Sequence, residues 1–172
     1  MSFPIKVTDF ELSYEDTYIT RFFEKNELKA YKKHDGVWTI GYGITSSSGF
    51  SVYKGLTITK EESESLFAEK LELYSNQLSS LIKVTVNKSQ YIALLDFFWN
   101  VGETNFEKST LLKKLNANLF DAVPEQFMRW KYDEGEILAG LIKRRLSECA
   151  LFKTGKLILD WDKETVDKYM KV

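Results

Sequence analysis

The sequence predicts an α+β chain, mostly helical. A small N-terminal lobe carries a β-hairpin, a larger C-terminal lobe is helical, and a long helix joins them. Three stretches predict this. Residues 24–43 hold two apolar-patterned runs around Asp35-Gly36 and end in Gly41 and Gly43. Asp-Gly between such runs signals a hairpin, because these two residues tolerate the backbone conformations that a tight turn needs. Residues 59–82 repeat apolar side chains at helical spacing, and at about 1.5 Å per residue the helix would span ~36 Å. From Tyr91 to Trp99 nearly every residue is apolar, which predicts a helix buried on most sides.

Bulk properties bound the function. The chain has 172 residues, enough for one domain with a sizeable core. The expected division of this single domain, 1–172, is an N-terminal lobe over 13–58, a connecting helix over 59–82, a C-terminal lobe over 83–155 and an extension over 156–172. The composition, with 4 Trp, 9 Tyr, 12 Phe and only 2 Pro, is globular. One Cys excludes an internal disulfide framework, and with one His it excludes a Cys/His zinc cluster. A net charge of −1 gives no field to draw in nucleic acid. No apolar run is long enough for a membrane helix. Met1-Ser-Phe-Pro-Ile-Lys6 lacks the pattern of an export signal, so cytoplasmic synthesis without a signal peptide is expected.

Taken in order, residues 1–12 read as an irregular or extended arm. Ser13 caps a helix running to about Lys25, with Tyr18, Ile19, Phe22 and Phe23 on its apolar side. Glu24 then falls in the last turn. Residues 28–33 and 37–43 form the hairpin, and Gly41 and Gly43 leave room for a close approach to the backbone. Thr45 to Gly49 is a polar loop, and Phe50 to Leu56 a short third strand. Thr59 and Glu62 make a capping box for the long helix. Leu66, Phe67, Leu71, Tyr74, Leu78, Leu81 and Ile82 give its core face. Glu61, Glu64, Glu69, Lys70 and Glu72 read as its solvated face.

Asn87 caps the apolar helix, which stops at Gly102. Ser109 begins a short helix through Leu115. Asp121 begins another through Trp130, with Pro124 in its first turn. Residues 132–136 are a loop. A helix over 138–153 ends at Gly155, with Arg144 and Glu148 spaced as an i,i+4 surface pair. Lys156 to Leu159 reads as a strand, and Asp162 starts a terminal helix.

The stretch Glu24, Ala30-Tyr31, Gly36 and Thr39-Ile-Gly-Tyr-Gly43 resembles the T4-type phage lysozymes, the endolysins of glycoside hydrolase family 24. Further blocks match in order: Phe98 to Gly102, Phe106, Ser109 to Leu112, Leu115-Asn116, Trp130, Gly140 to Arg145, Glu148 and Leu151-Phe152. The resemblance covers residues 14–155 and implies a lysozyme-like fold with a cleft between the lobes. It implies a muramidase that cleaves the β-1,4 bond between N-acetylmuramic acid and N-acetylglucosamine. Peptidoglycan is the expected partner of a monomer that takes no cofactor or metal, binds no nucleic acid and does not insert into membranes. It would act at the wall after release or delivery, with a phage lysis gene, or an effector or toxin, as its origin. The sequence does not say whether an inhibitor or immunity protein pairs with it.

The resemblance assigns the general acid to Glu24, which otherwise reads as a surface glutamate at a helix end. It sets Thr39, otherwise a plain strand residue, beside the attacking water. The family's second catalytic carboxylate is replaced by Lys33, and the glycine after its glutamate by Lys25. A protonated lysine has no lone pair with which to steady a water. Several readings stay open. Asp35, otherwise a turn former, replaces the missing acid. Glu24 and Thr39 suffice for a weakened activity. The hairpin slips in register, against its ungapped spacing. Or catalysis is lost and the chain is a silent homologue that binds glycan or a protein. The resemblance also directs Trp99, Asn100 and Ser109 to the sugar, with core packing the competing reading for Trp99. It pairs one of Arg144 and Arg145 with the acid. A His34–Cys149 nucleophile pair is rejected, because Cys149 lies in an apolar-patterned helix.

Overall fold

The computed structural model describes residues 5–7 and 10–171. The remainder of the expected N-terminal arm lies outside the described residues. The chain divides into two compact units, Met1–Asn76 and Gln77–Val172. The division falls inside the long helix, so its first turns belong to the first unit and its last turn to the second.

In the first unit the expected arm contains an antiparallel pair, β1 (Ile5–Val7) with β2 (Phe10–Leu12), in the register Val7↔Phe10. Ser13 makes a reciprocal cap: its N–H donates to Asp16 Oδ2 at 2.7 Å, and its Oγ accepts from the Asp16 N–H at 3.2 Å. The capped turn, Glu15–Thr17, is a 3-10 turn that leads into α1 (Tyr18–Glu24). That tighter first turn changes the helical phase. Tyr18 and Phe22, expected in the core, are exposed, while Ile19, Thr20 and Arg21 are buried.

Arg21 is buried because its charge is paired. Its Nε donates to Thr17 Oγ1 at 2.7 Å and its Nη1 to Glu64 Oε1 at 2.6 Å. Its guanidinium lies 4.1 Å from the Tyr14 ring centre and 4.2 Å from that of Phe67. Glu64, expected on a solvated face, therefore anchors a buried arginine. Lys70, expected on the same face, donates to the Gly43 carbonyl at 3.3 Å.

Lys25 ends α1 with φ 56° and ψ 155°, a region that only glycine enters without strain. A side chain held there costs about 1–3 kcal/mol, and glycine's looser unfolded state returns up to about 1 kcal/mol. Lys25→Gly should therefore stabilise the fold by about 1 kcal/mol, a rise of roughly 2–4 °C in Tm on a thermal melt.

The hairpin is β3 (Glu27–Lys32) with β4 (Trp38–Gly41), in the register Tyr31↔Thr39. The third strand is β5 (Ile44–Thr45), which pairs with β4 and takes in only the first residue of the expected polar loop; Ser46–Ser48 is a 3-10 turn. Phe50 to Leu56 forms no strand. Its last residue and the chain just after it run along the open edge of β3, with Ala30 N–H donating to the Leu56 carbonyl and Ile58 N–H to the Leu28 carbonyl, each at 2.9 Å. The close approach expected at the glycines is made by the long helix, α2 (Lys60–Leu81). A Cβ on Gly41 would sit 2.9 Å from Ser63 Oγ. Thr59 and Glu62 form the expected capping box at 2.7 and 3.1 Å.

The second unit is built on α3 (Lys88–Val101), capped by Asn87 as expected, with Gln90 completing a capping box not expected from the sequence. Between it and the next expected helix lies α4 (Glu103–Lys108). There follow α5 (Thr110–Asn116), α6 (Val123–Met128), a small hairpin of β6 (Tyr132–Asp133) and β7 (Glu136–Ile137), α7 (Ala139–Thr154) and α8 (Lys163–Asp167). The hairpin replaces the loop expected over 132–136. Glu134 and Gly135, both at positive φ, close its turn. Helix α7 packs against α3 and α6. Phe97 contacts Phe106, Phe127 and Trp130 edge-on or tilted.

Lys156 to Leu159 is not a strand. That segment instead leads to Trp161, whose Nε1 donates to Ser147 Oγ at 2.9 Å, and to Val166, packed on Ile142 and Leu146. Among the described residues no helix is long and apolar enough to cross a membrane.

Candidate active site

In the first unit, Glu24 is the last residue of α1 and is half-buried. The chain turns at Lys25 and returns as β3, which carries Tyr31 opposite Thr39. Burial, then the negative charges of Glu24 and Glu27, push the Tyr31 phenol above its usual range. The charge of Glu24 is therefore felt at the Tyr31 phenol. Tyr31 was not chosen from the sequence, although its place in the matched run was visible.

Thr39 is fully buried in the strand, and its Oγ1 donates to the Val37 carbonyl at 3.3 Å. Its lone pairs are left to accept. The same Val37 residue binds Asp35, whose Oδ1 accepts from the Val37 N–H at 2.9 Å. The turn spans Lys33 to Gly36, with Gly36 N–H donating to the Lys33 carbonyl at 2.9 Å and Gly36 at φ 86°. This is a type I turn followed by glycine, the geometry of a three-residue hairpin loop. Asp35 thus serves the turn with one oxygen and is exposed, while Lys33 stands half-buried at the turn's entrance.

In the second unit the expected sugar-binding residues separate by role. Trp99 is buried in the body of the unit. Ser109 is the N-cap of α5: its Oγ accepts from the Leu112 N–H at 3.1 Å and donates to the Phe106 carbonyl at 2.6 Å. Both functions of that hydroxyl are engaged in the cap. Asn100 is exposed, and its Oδ1 accepts from Arg145 Nη2 at 2.8 Å.

Arg144 and Arg145 are not a surface feature. Arg144 grips Asp96 with Nε and Nη2, at 3.0 and 2.9 Å. Arg145 lies 2.9 Å from Glu148, and Arg144 lies 4.0 Å from it. All four side chains are buried. The i,i+4 pair expected at the surface is a buried network instead, because α7 is covered by α3 and α6. Burial pushes the Glu148 carboxyl well above its usual range, and the Arg145 guanidinium pulls it back. Asp96 was missed from the sequence. The available signal was that it is the only charged residue between Tyr91 and Trp99.

The phage lysozyme pattern matches residues 21–148. The chain belongs to the phage lysozyme family. It is 40% identical over 130 residues to the endolysin of Salmonella phage P22, covering 75% of this chain and 88% of that one. It is 35% identical over 147 residues to the endolysin of Acyrthosiphon pisum secondary endosymbiont phage 1, covering 83% and 98%. Among solved structures it resembles the endolysin from Escherichia coli O157:H7 phage FAHEc1, with a TM-score of 0.78, 28% identity and coverage of 89% and 99%. It also resembles the muramidase domain of SpmX from Asticaccaulis excentricus, with a TM-score of 0.73, 29% identity and coverage of 83% and 97%.

Its α+β architecture is that of the phage lysozymes. Cys149, the rejected nucleophile, donates its thiol to the Pro124 carbonyl at 3.0 Å, and burial pushes that thiol up to about 12. It stays protonated and inert at neutral pH.

Proposed function

We propose that this phage lysozyme hydrolyses peptidoglycan, cutting the β-1,4 bond between N-acetylmuramic acid and N-acetylglucosamine. Glu24 protonates the leaving oxygen as the sugar develops positive charge. The observation that carries this reading is Glu24, half-buried at the end of α1, where the chain turns at Lys25 directly into the hairpin whose second strand carries Thr39. Thr39 reaches the attacking water once its hydroxyl turns out of the buried face of β4, where it sits on the Val37 carbonyl. Asp35 supplies the carboxylate that the water needs, through the oxygen its turn leaves over. Arg144 and Arg145 support the second unit's contribution. The protein works as a monomer, without cofactor or metal, and reaches the wall by release or delivery after cytoplasmic synthesis.

Lys33 favours a second reading, a silent homologue that still binds glycan, because an ammonium cannot accept the water's proton. Clearing of purified peptidoglycan decides between them. Under the leading reading the wild type clears, and Asp35→Asn lowers the rate by about 100-fold, the low end of what a general base contributes. Lys33→Asp then gains activity only modestly. A wild type that does not clear, joined to a Lys33→Asp variant that does, would overturn it in favour of the silent homologue.

A further inference from the structure

Asn100 is exposed, yet its side chain is not free to rotate. Its partner is Arg145, which is fully buried, lies 2.9 Å from Glu148 and has its guanidinium 4.9 Å from the centre of the Phe97 ring. Arginine has only donors to offer. The atom 2.8 Å from Arg145 Nη2 is therefore the carbonyl oxygen of Asn100, Oδ1. An amide has one carbonyl and one NH2 group. With the carbonyl held inward, the NH2 group is what the exposed side of the residue can present.

We infer that Arg145, braced by Glu148, is a positioning residue that fixes the amide of Asn100 so that it meets the glycan as a hydrogen-bond donor. The group it would take is an acceptor, such as the carbonyl oxygen of an N-acetyl substituent or a sugar hydroxyl oxygen. The arrangement spans a buried ion pair, a buried guanidinium and one exposed amide. Its specificity comes from sign: a ligand that can only donate at that point would leave the amide's hydrogens unpaired and pay their desolvation. This inference deepens the glycan-binding reading and rests on it.

Asn100→Asp tests it. The aspartate keeps an oxygen facing Arg145 and converts that contact into an ion pair, so the Tm should hold or rise. The outward group becomes an acceptor. Binding of the Glu24→Gln protein to purified peptidoglycan, read by co-sedimentation, should weaken about tenfold with Asn100→Asp added, the scale of one lost hydrogen bond with a repelled charge. In the active protein the same change should raise KM and leave kcat nearly unaltered. Arg145→Lys should weaken binding as well, because one ammonium cannot serve both Glu148 and Asn100. In an Asn100→Ala background it should add no further loss, since a residue acting through another shows no independent effect. Unchanged sedimentation with Asn100→Asp would overturn the donor assignment, and additive losses would overturn the action of Arg145 through Asn100. A wild type that sediments but does not hydrolyse would overturn only the hydrolase reading, and the sedimentation series would still decide this one. A protein that neither sediments nor hydrolyses would overturn both.

Discussion

Glu24→Gln is expected to abolish clearing of purified peptidoglycan, by about 1,000-fold or more in rate. Proton donation by a placed side chain contributes about 10²–10⁴-fold, and glutamine has the same shape with no proton to give. The fold should be untouched. Glu24 is the last residue of α1, and a neutral amide is at least as welcome as a carboxylate beside the negative end of a helix. Circular dichroism and Tm should match the wild type while the initial rate of turbidity loss falls to background. A variant that keeps more than a tenth of the rate would take the acid role away from Glu24. Proton transfer would then have to be assigned elsewhere on the hairpin.

Asp96→Ala carries the largest expected loss of stability. It leaves the Arg144 guanidinium buried beside an emptied site where two charge-assisted hydrogen bonds, at 3.0 and 2.9 Å, had held it. Breaking a buried pair from one side costs about 3–5 kcal/mol. The low end applies here, because Glu148 remains 4.0 Å from Arg144 and compensates part of its charge. About 3 kcal/mol is a large share of the ~5–15 kcal/mol that holds a typical domain together. The Tm should drop by on the order of 10 °C, with a matching fall in the urea midpoint. A drop of less than 2 °C would mean that Arg144 finds water or another acceptor when Asp96 is gone. Asp96→Asn should cost less, since its amide oxygen still accepts one of the two bonds.

The contrast between these two residues shows what could be read from the chain. Glu24 was legible because its position is defined by local order: a helix that must stop, a hairpin that must start, and a run of matching residues at fixed spacing. Asp96 was not legible, because its partner lies 48 residues away on another helix. Helical periodicity reports which face is apolar. It does not report which charges on two helices will meet once those faces are packed. Glu64 failed in the same way: by sequence it groups with Glu61, Glu69 and Glu72, which are exposed, whereas the buried Arg21, from a distant part of the chain, gives it a partner.

What the sequence determined by itself was local and periodic. The capping box at Thr59, the cap at Asn87, the apolar run of α3, the turn at Gly36 and the C-terminal glycines at 102 and 155 each depend on a few adjacent residues. The order of matched blocks determined the family. Tertiary structure alone decided the rest: that Ser63 rather than a ligand fills the space at Gly41, and that Arg145 turns the amide of Asn100. Each of these depends on distance through space between segments far apart in the chain. Only packing sets that distance, because buried charges and close-packed side chains accept few arrangements.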